Sequence, residues 1–284
     1  MGSAANTKPD FLIIGAQKAG TSSLYAWLTG HPDVVSAREK ELHYFDRRIA
    51  TEPIDAYWAD FPREATLDSL RRERGRTIVT GEATPVYLFH PSVPELVRRH
   101  LPDVRLIVLL RDPVERAVSQ YWMEFNRHNE TLPLAGALEA EIERTAPDLE
   151  RIERGEPPGR YFWTATYTAR GDYADQLERW LQFFSRAQMS IQTFEDLVAD
   201  PEAVYRSSLA FVGVDADAAP IPTFQAERVG SKQPTEPAIL DRLRERFVDS
   251  NRRLVELTGI DYSVERRVPR KSSTAGTRAG SPIL

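Results

Sequence analysis

A chain of 284 residues, 41% hydrophobic and 28% charged, is long enough for one sizeable domain with its own core. It has no cysteine, which excludes disulfides, thiolate catalysis and cysteine-held metals, and no apolar run of about 18 residues, which excludes a membrane-spanning helix. The net charge is −5; residues 266–284 carry +5 with no acid, so the rest carries −10, which argues against general nucleic-acid binding and confines any anion site to a local patch.

In chain order, residues 1–8 lack the apolar core of a secretory signal, and Asn6 stands where an acyl-transfer signal needs Ser or Thr. They are expected to be a disordered lead into a domain over 9–265, placed in the cytoplasm. Short apolar runs predict buried strands over 11–14, 77–80, 105–110 and 189–193. Helical periodicity predicts helices over 21–30, 93–100, 114–126, 134–144, 173–184, 203–212 and 238–258. Leu177, Trp180, Leu181 and Phe184 share one helical face and are expected in the core. Alternating strands and helices predict a single α/β domain, a parallel sheet flanked by helices, with ligands beyond the carboxyl ends of the strands. The basic, Gly/Ser/Thr-rich residues 266–284 are expected to be a disordered tail, either a solvated end or a contact for an acidic partner.

The first strand runs into "FLIIGAQKAGTSSLYAW". Gly15 and Gly20 have the spacing of a nucleotide phosphate loop, G-x-x-x-x-G-K-[ST], yet Thr21 stands where the lysine belongs and Lys18 lies inside the loop. Strand, glycine turn and helix start together put free amides and a helix dipole at one point. Thr21, Ser22 and Ser23 add hydroxyls there, and Lys18 adds a full charge. No apolar strand ends in an obvious metal-holding acid, since Asp112 has Arg111 against it. Such a loop suits one phosphate plus a leaving group and no metal.

A second stretch, "RLIVLLRDPVERAVSQYW", ends a strand at Arg111, turns at Pro113 and starts a helix carrying Ser119. Arg111 and Ser119 make a fork for a separate phosphate; the alternative is a surface pair, Arg111–Glu115 or Asp112–Arg116. Two phosphate sites suggest a nucleotide phosphorylated at both ends of its ribose.

With these segments the chain resembles the sulfotransferases that use 3′-phosphoadenosine 5′-phosphosulfate (PAPS) and release 3′,5′-adenosine bisphosphate (PAP). "GAQKAGTSSL" looks like their 5′-phosphosulfate loop and "RDPVERAVSQY" like their 3′-phosphate motif. "KELHYFD", "GEATPVYLFHP", "YADQLERWLQFF" and "FEDLVADP" resemble the bacterial and heparan sulfate 3-O-sulfotransferase branch. The resemblance implies a P-loop-like sulfotransferase fold. It implies that Lys18, Ala19, Gly20, Thr21, Ser22 and Ser23 hold the 5′ end, with Lys18 at the bridging oxygen. It places Arg111 and Ser119 on the 3′ phosphate, and Arg228, Gly230, Ser231 and Lys232 in a basic loop over the nucleotide. It makes Glu41 the catalytic base and His43 its assistant, both on one side of an extended segment.

There are departures. Ala83 replaces a lysine of the eukaryotic heparan enzymes, and their cysteines and signal anchor are absent, so heparan itself is not the expected acceptor. A bacterial enzyme acting on a small molecule, lipid or glycan is expected, without nucleic acid. His31, His90, His100 and His128 lack zinc-ligand spacing, and no metal is expected. The aromatic runs Tyr57, Trp58, Phe61 and Tyr161, Phe162, Trp163 either pack the core or line the acceptor and adenine sites. The rivals are a P-loop kinase-like ATP-dependent transferase and a nucleotide-binding module that no longer catalyses.

Overall fold

The computed structural model describes residues 6–225 and 234–263. Five strands form one parallel sheet in the order β2-β3-β1-β4-β5: β1 (Phe11–Gly15), β2 (Val34–Ser36), β3 (Val79–Ala83), β4 (Arg105–Leu110) and β5 (Met189–Thr193). Around it lie α1 (Thr21–Thr29), α2 (Ile54–Trp58), α3 (Glu64–Arg74), α4 (Val93–His100), α5 (Pro113–Asn126), α6 (Leu134–Glu139), α7 (Glu141–Glu153), α8 (Arg160–Thr164), α9 (Tyr173–Leu181), α10 (Phe194–Ala199), α11 (Pro201–Val212), α12 (Pro237–Arg246) and α13 (Val248–Thr258). This is the single α/β domain expected from the sequence. No helix among the described residues is long and apolar enough to cross a membrane.

The interior strands β1 and β4 are largely continuous apolar runs because helices cover both faces of the sheet. Every residue of β1 is buried. The chain leaves β1 for β2 and β3 on one side, then crosses to β4 and β5 on the other. The crevice between the carboxyl ends of β1 and β4 is therefore the switch point at which such sheets take ligands.

Several boundaries differ from expectation. The strand expected over 77–80 starts later and runs to Ala83, through polar Glu82, because Tyr57 and Thr84 supply hydrogen bonds to that buried carboxylate. Gly81 makes the close approach possible, since a Cβ there would lie 2.5 Å from the Phe11 carbonyl oxygen. The three-residue β2 is too short to carry a period and was not expected. The helix expected over 134–144 breaks at Ala140 into α6 and α7. The one expected over 238–258 breaks at Phe247, whose fully buried ring packs on Gly171 and turns the chain between α12 and α13. Asn6 and Thr7, read as part of a disordered lead, are placed: Asn6 bridges Arg63 and the Thr7 N–H donates to the Pro62 carbonyl at 2.9 Å.

Candidate active site

Gly20 takes φ +86 to start α1, and a Cβ there would meet Leu197 at 2.7 Å, so glycine is needed for both backbone and space. No side chain caps the N-terminus of α1. This helix begins just after the carboxyl end of β1, so its uncapped first-turn amides and the positive end of its dipole lie at that end of the sheet. Thr21 and Ser23 are buried, Ser22 is half-buried, and Ala19 is packed in the core. Lys18 takes φ +71.

Arg111 follows β4 directly. Its Nη1 donates to the Lys18 carbonyl oxygen at 2.9 Å, and its guanidinium lies 4.6 Å from the Phe194 ring centroid. The two sequence motifs thus meet at this contact. The surface pair Arg111–Glu115 also forms, at 3.4 Å, but Asp112–Arg116 does not replace it. Asp112 instead caps α5 by accepting from the Glu115 N–H at 2.8 Å, while buried Arg116 turns inward to Gln120 and the Tyr167 carbonyl. Ser119 is half-buried on α5. Arg228, Gly230, Ser231 and Lys232 lie outside the described residues. A cavity of about 1760 Å³ opens on the far side of Arg111, between α10 and the α12–α13 pair; neither Lys18 nor Glu41 lines it.

Glu41 reaches the same sheet edge by a different route. Its N–H donates to the Ala83 carbonyl at 3.0 Å, so its backbone is pinned to the end of β3, the neighbour of β1. The segment after β3 is held to β1 in turn, through Thr84 N–H to Ile13 and Leu88 N–H to Ile14. The segment 41–43 is not extended, as expected, but left-handed at both residues, with φ +64 at Glu41 and +51 at His43. Four non-glycine residues among those described take positive φ, and Lys18, Glu41 and His43 are three of them. Such conformations cost roughly 1–3 kcal/mol each and persist where the surroundings impose them, as they do at functional sites.

The kinks bring His43 Nε2 to 3.7 Å from Glu41 and its Nδ1 to 2.7 Å from Asp46 Oδ2. Asp46 is buried and is the residue that sequence reasoning missed; its only signal was its place three positions after His43. His43 beside it is the main reason the Glu41 carboxyl is lowered to about 2, with Lys40 adding and burial opposing. Burial by itself would lower His43, but Asp46 and Glu41 outweigh it and raise the imidazole to about 9. Around neutral pH His43 is thus an imidazolium beside the Glu41 carboxylate, with its other nitrogen bonded to Asp46. Among the described residues no group of three or more His, Asp or Glu side chains is arranged so that it could hold a metal ion.

Tyr87 holds this loop from beneath. Its hydroxyl accepts from the Tyr44 and Phe45 N–H groups, at 3.0 and 3.3 Å, and donates to Glu82 at 3.2 Å. Tyr87→Phe should leave two buried amides without an acceptor and cost about 1–3 kcal/mol. Urea unfolding of the two proteins measures this; equal midpoints would refute it. Of the aromatic runs, Tyr57, Phe61 and Phe162 are core. Tyr161 is exposed, and half-buried Trp163 lies 4.2 Å beneath the guanidinium of Arg47, next to Asp46.

Comparison with known proteins bears on the family and the fold. The family model described as "Sulfotransferase domain" matches residues 8–231. The membrane-associated sulfotransferase kil1 of Dictyostelium discoideum is 26% identical, over 89% of this chain and 66% of its own length. Human heparan sulfate glucosamine 3-O-sulfotransferase 6 is 29% identical, over 89% of this chain and 73% of its own. This chain thus spans about two thirds to three quarters of the length of these relatives. A solved sulfotransferase from Alicyclobacillus acidocaldarius superposes with a TM-score of 0.70 at 31% identity, over 92% of this chain and 100% of that one. Two motifs joined at one loop, on a sheet of matching fold, place this chain in the sulfotransferase-domain family.

Proposed function

We propose that the protein transfers a sulfonate from PAPS to a hydroxyl of a small-molecule, lipid or carbohydrate acceptor. The observation that carries this is the contact of Arg111 with the Lys18 carbonyl. It sets a guanidinium for one phosphate against an amide-lined loop for another. The loop residues 18–23 fit the 5′ end, with Lys18 facing the charge that develops on the oxygen released, while Arg111 and Ser119 fit the 3′ phosphate. The donor supplies the sulfonate and leaves as PAP.

Glu41 acts as the base. A carboxylate held near 2 is ionised at any working pH but is a weak base toward a resting hydroxyl. It takes the proton as the acceptor oxygen bonds to sulfur and becomes strongly acidic. The O–S bond to the acceptor forms, the S–O bond to the nucleotide breaks, and the acceptor proton passes to Glu41. His43, held by Asp46, fixes the carboxylate and balances its charge. Ala83 is fully buried beneath this loop and offers no cation to a sulfated sugar, which favours an acceptor other than heparan.

Calorimetric titration with PAP, with and without chelator and beside Mg·ATP, tests the reading. Micromolar, chelator-insensitive binding of PAP is expected. Arg111→Ala should weaken it about 10–100-fold, the worth of charged hydrogen bonds to one phosphate. A preference for Mg·ATP, or indifference to Arg111→Ala, would return the kinase-like alternative.

A further inference from the structure

Arg170 lies just before α9 and keeps only 3% of its surface exposed. Its fork reaches neutral groups: Nε donates to Thr166 Oγ1 at 2.7 Å, Nη2 to the Phe162 carbonyl at 2.8 Å, and Nη1 to Gln17 Oε1 at 2.5 Å. Nη2 also comes within 3.4 Å of the Trp163 carbonyl, and the Phe89 ring centroid lies 5.2 Å from the guanidinium. Glu124, Glu141 and Asp46 act on it from a distance, Arg116 opposes them, and none of these acids bonds to it. Burial is the dominant influence and lowers its pKa to about 9.

A buried guanidinium without a counter-ion is expensive, and a fold that needed only packing here would do better with an apolar residue. What the charge touches gives it a use. Gln17 is half-buried and immediately precedes Lys18 in the phosphate loop. Arg111 grips that loop at the Lys18 carbonyl, while Arg170 grips it one residue earlier from within the protein.

Building on the sulfotransferase reading, we propose that Arg170 is a positioning residue for the phosphate loop: it fixes Gln17 and so the backbone of Lys18, and its buried charge is offset when the 5′ anion of the donor binds. The nucleotide-free protein thus carries a cost that binding relieves.

Thermal melting and PAP titration of the full chain, wild type beside Arg170→Met, Arg170→Lys and Gln17→Ala, test this. Arg170→Met should melt no lower than wild type without nucleotide, yet bind PAP about tenfold more weakly, as loss of an outer-shell partner does. Arg170→Lys keeps the charge but not the fork and should fall between. Gln17→Ala should weaken PAP at unchanged melting temperature, and adding it to Arg170→Met should cost nothing further, because both act through one contact. Lower melting of Arg170→Met with unchanged PAP affinity would make Arg170 a packing residue and overturn the proposal, as would additive losses in the double variant. If Arg170→Met does not fold, Gln17→Ala decides: PAP affinity within twofold of wild type overturns it. Wild type that fails to bind PAP at all refutes the sulfotransferase reading instead.

Discussion

Glu41→Gln is expected to lower kcat by about 10²–10⁴ with the affinity for PAP unchanged. The substitution keeps the shape of the side chain and removes the proton acceptor. Glu41 contacts Lys40 and His43 rather than the phosphate loop, so nucleotide binding should not sense the change. The measurement is radiolabelled sulfonate transfer to an acceptor found by screening, beside PAP titration. Full activity in the variant would remove Glu41 from the mechanism. Loss of PAP binding would place it in the nucleotide site.

The same group sets a pH dependence. His43 is the main cause of the low Glu41 pKa of about 2, so His43→Gln should move the acid limb of kcat/KM upward, toward the ordinary 4.5. In stability, the lowered Glu41 contributes above pH 4.5 and loses that contribution as pH falls through about 2. The raised His43 contributes fully below pH 6.5 and loses it as pH rises through about 9. Denaturant midpoints of wild type should therefore fall on the alkaline side more than those of His43→Gln.

Lys18→Ala should cost about 10²–10³ in kcat, the usual loss when one group stabilising transition-state charge is removed. Its positive φ permits a control. Lys18→Gly removes the same charge and also relieves the left-handed strain, worth about 1–2 kcal/mol, against the added freedom of glycine in the unfolded chain. The glycine variant should be as inactive as the alanine variant while melting close to wild type. Retained activity in either would show that the loop amides suffice without the lysine.

Local pattern was enough for part of this molecule. The buried apolar runs of β1 and β4 read as covered strands, and the spacing of Gly15 and Gly20 marked the turn between β1 and α1. Lys18 and Arg111 were singled out because each stood in a short motif of local chemistry, and Glu41 and His43 because their segment resembles a family motif. Other features had no local signal. The register of β3 depends on Tyr57 and Tyr87, 25 and 5 residues from Glu82, finding that carboxylate in the core. The kinks that bring His43 between Glu41 and Asp46 depend on backbone bonds to Ala83 and the Tyr87 hydroxyl. The grip of Arg170 on Gln17 spans 153 residues of sequence. Sequence by itself determined which residue types could carry the chemistry. Tertiary structure decided their protonation and aim, because burial and distant partners set both and neither leaves a periodic trace in the chain.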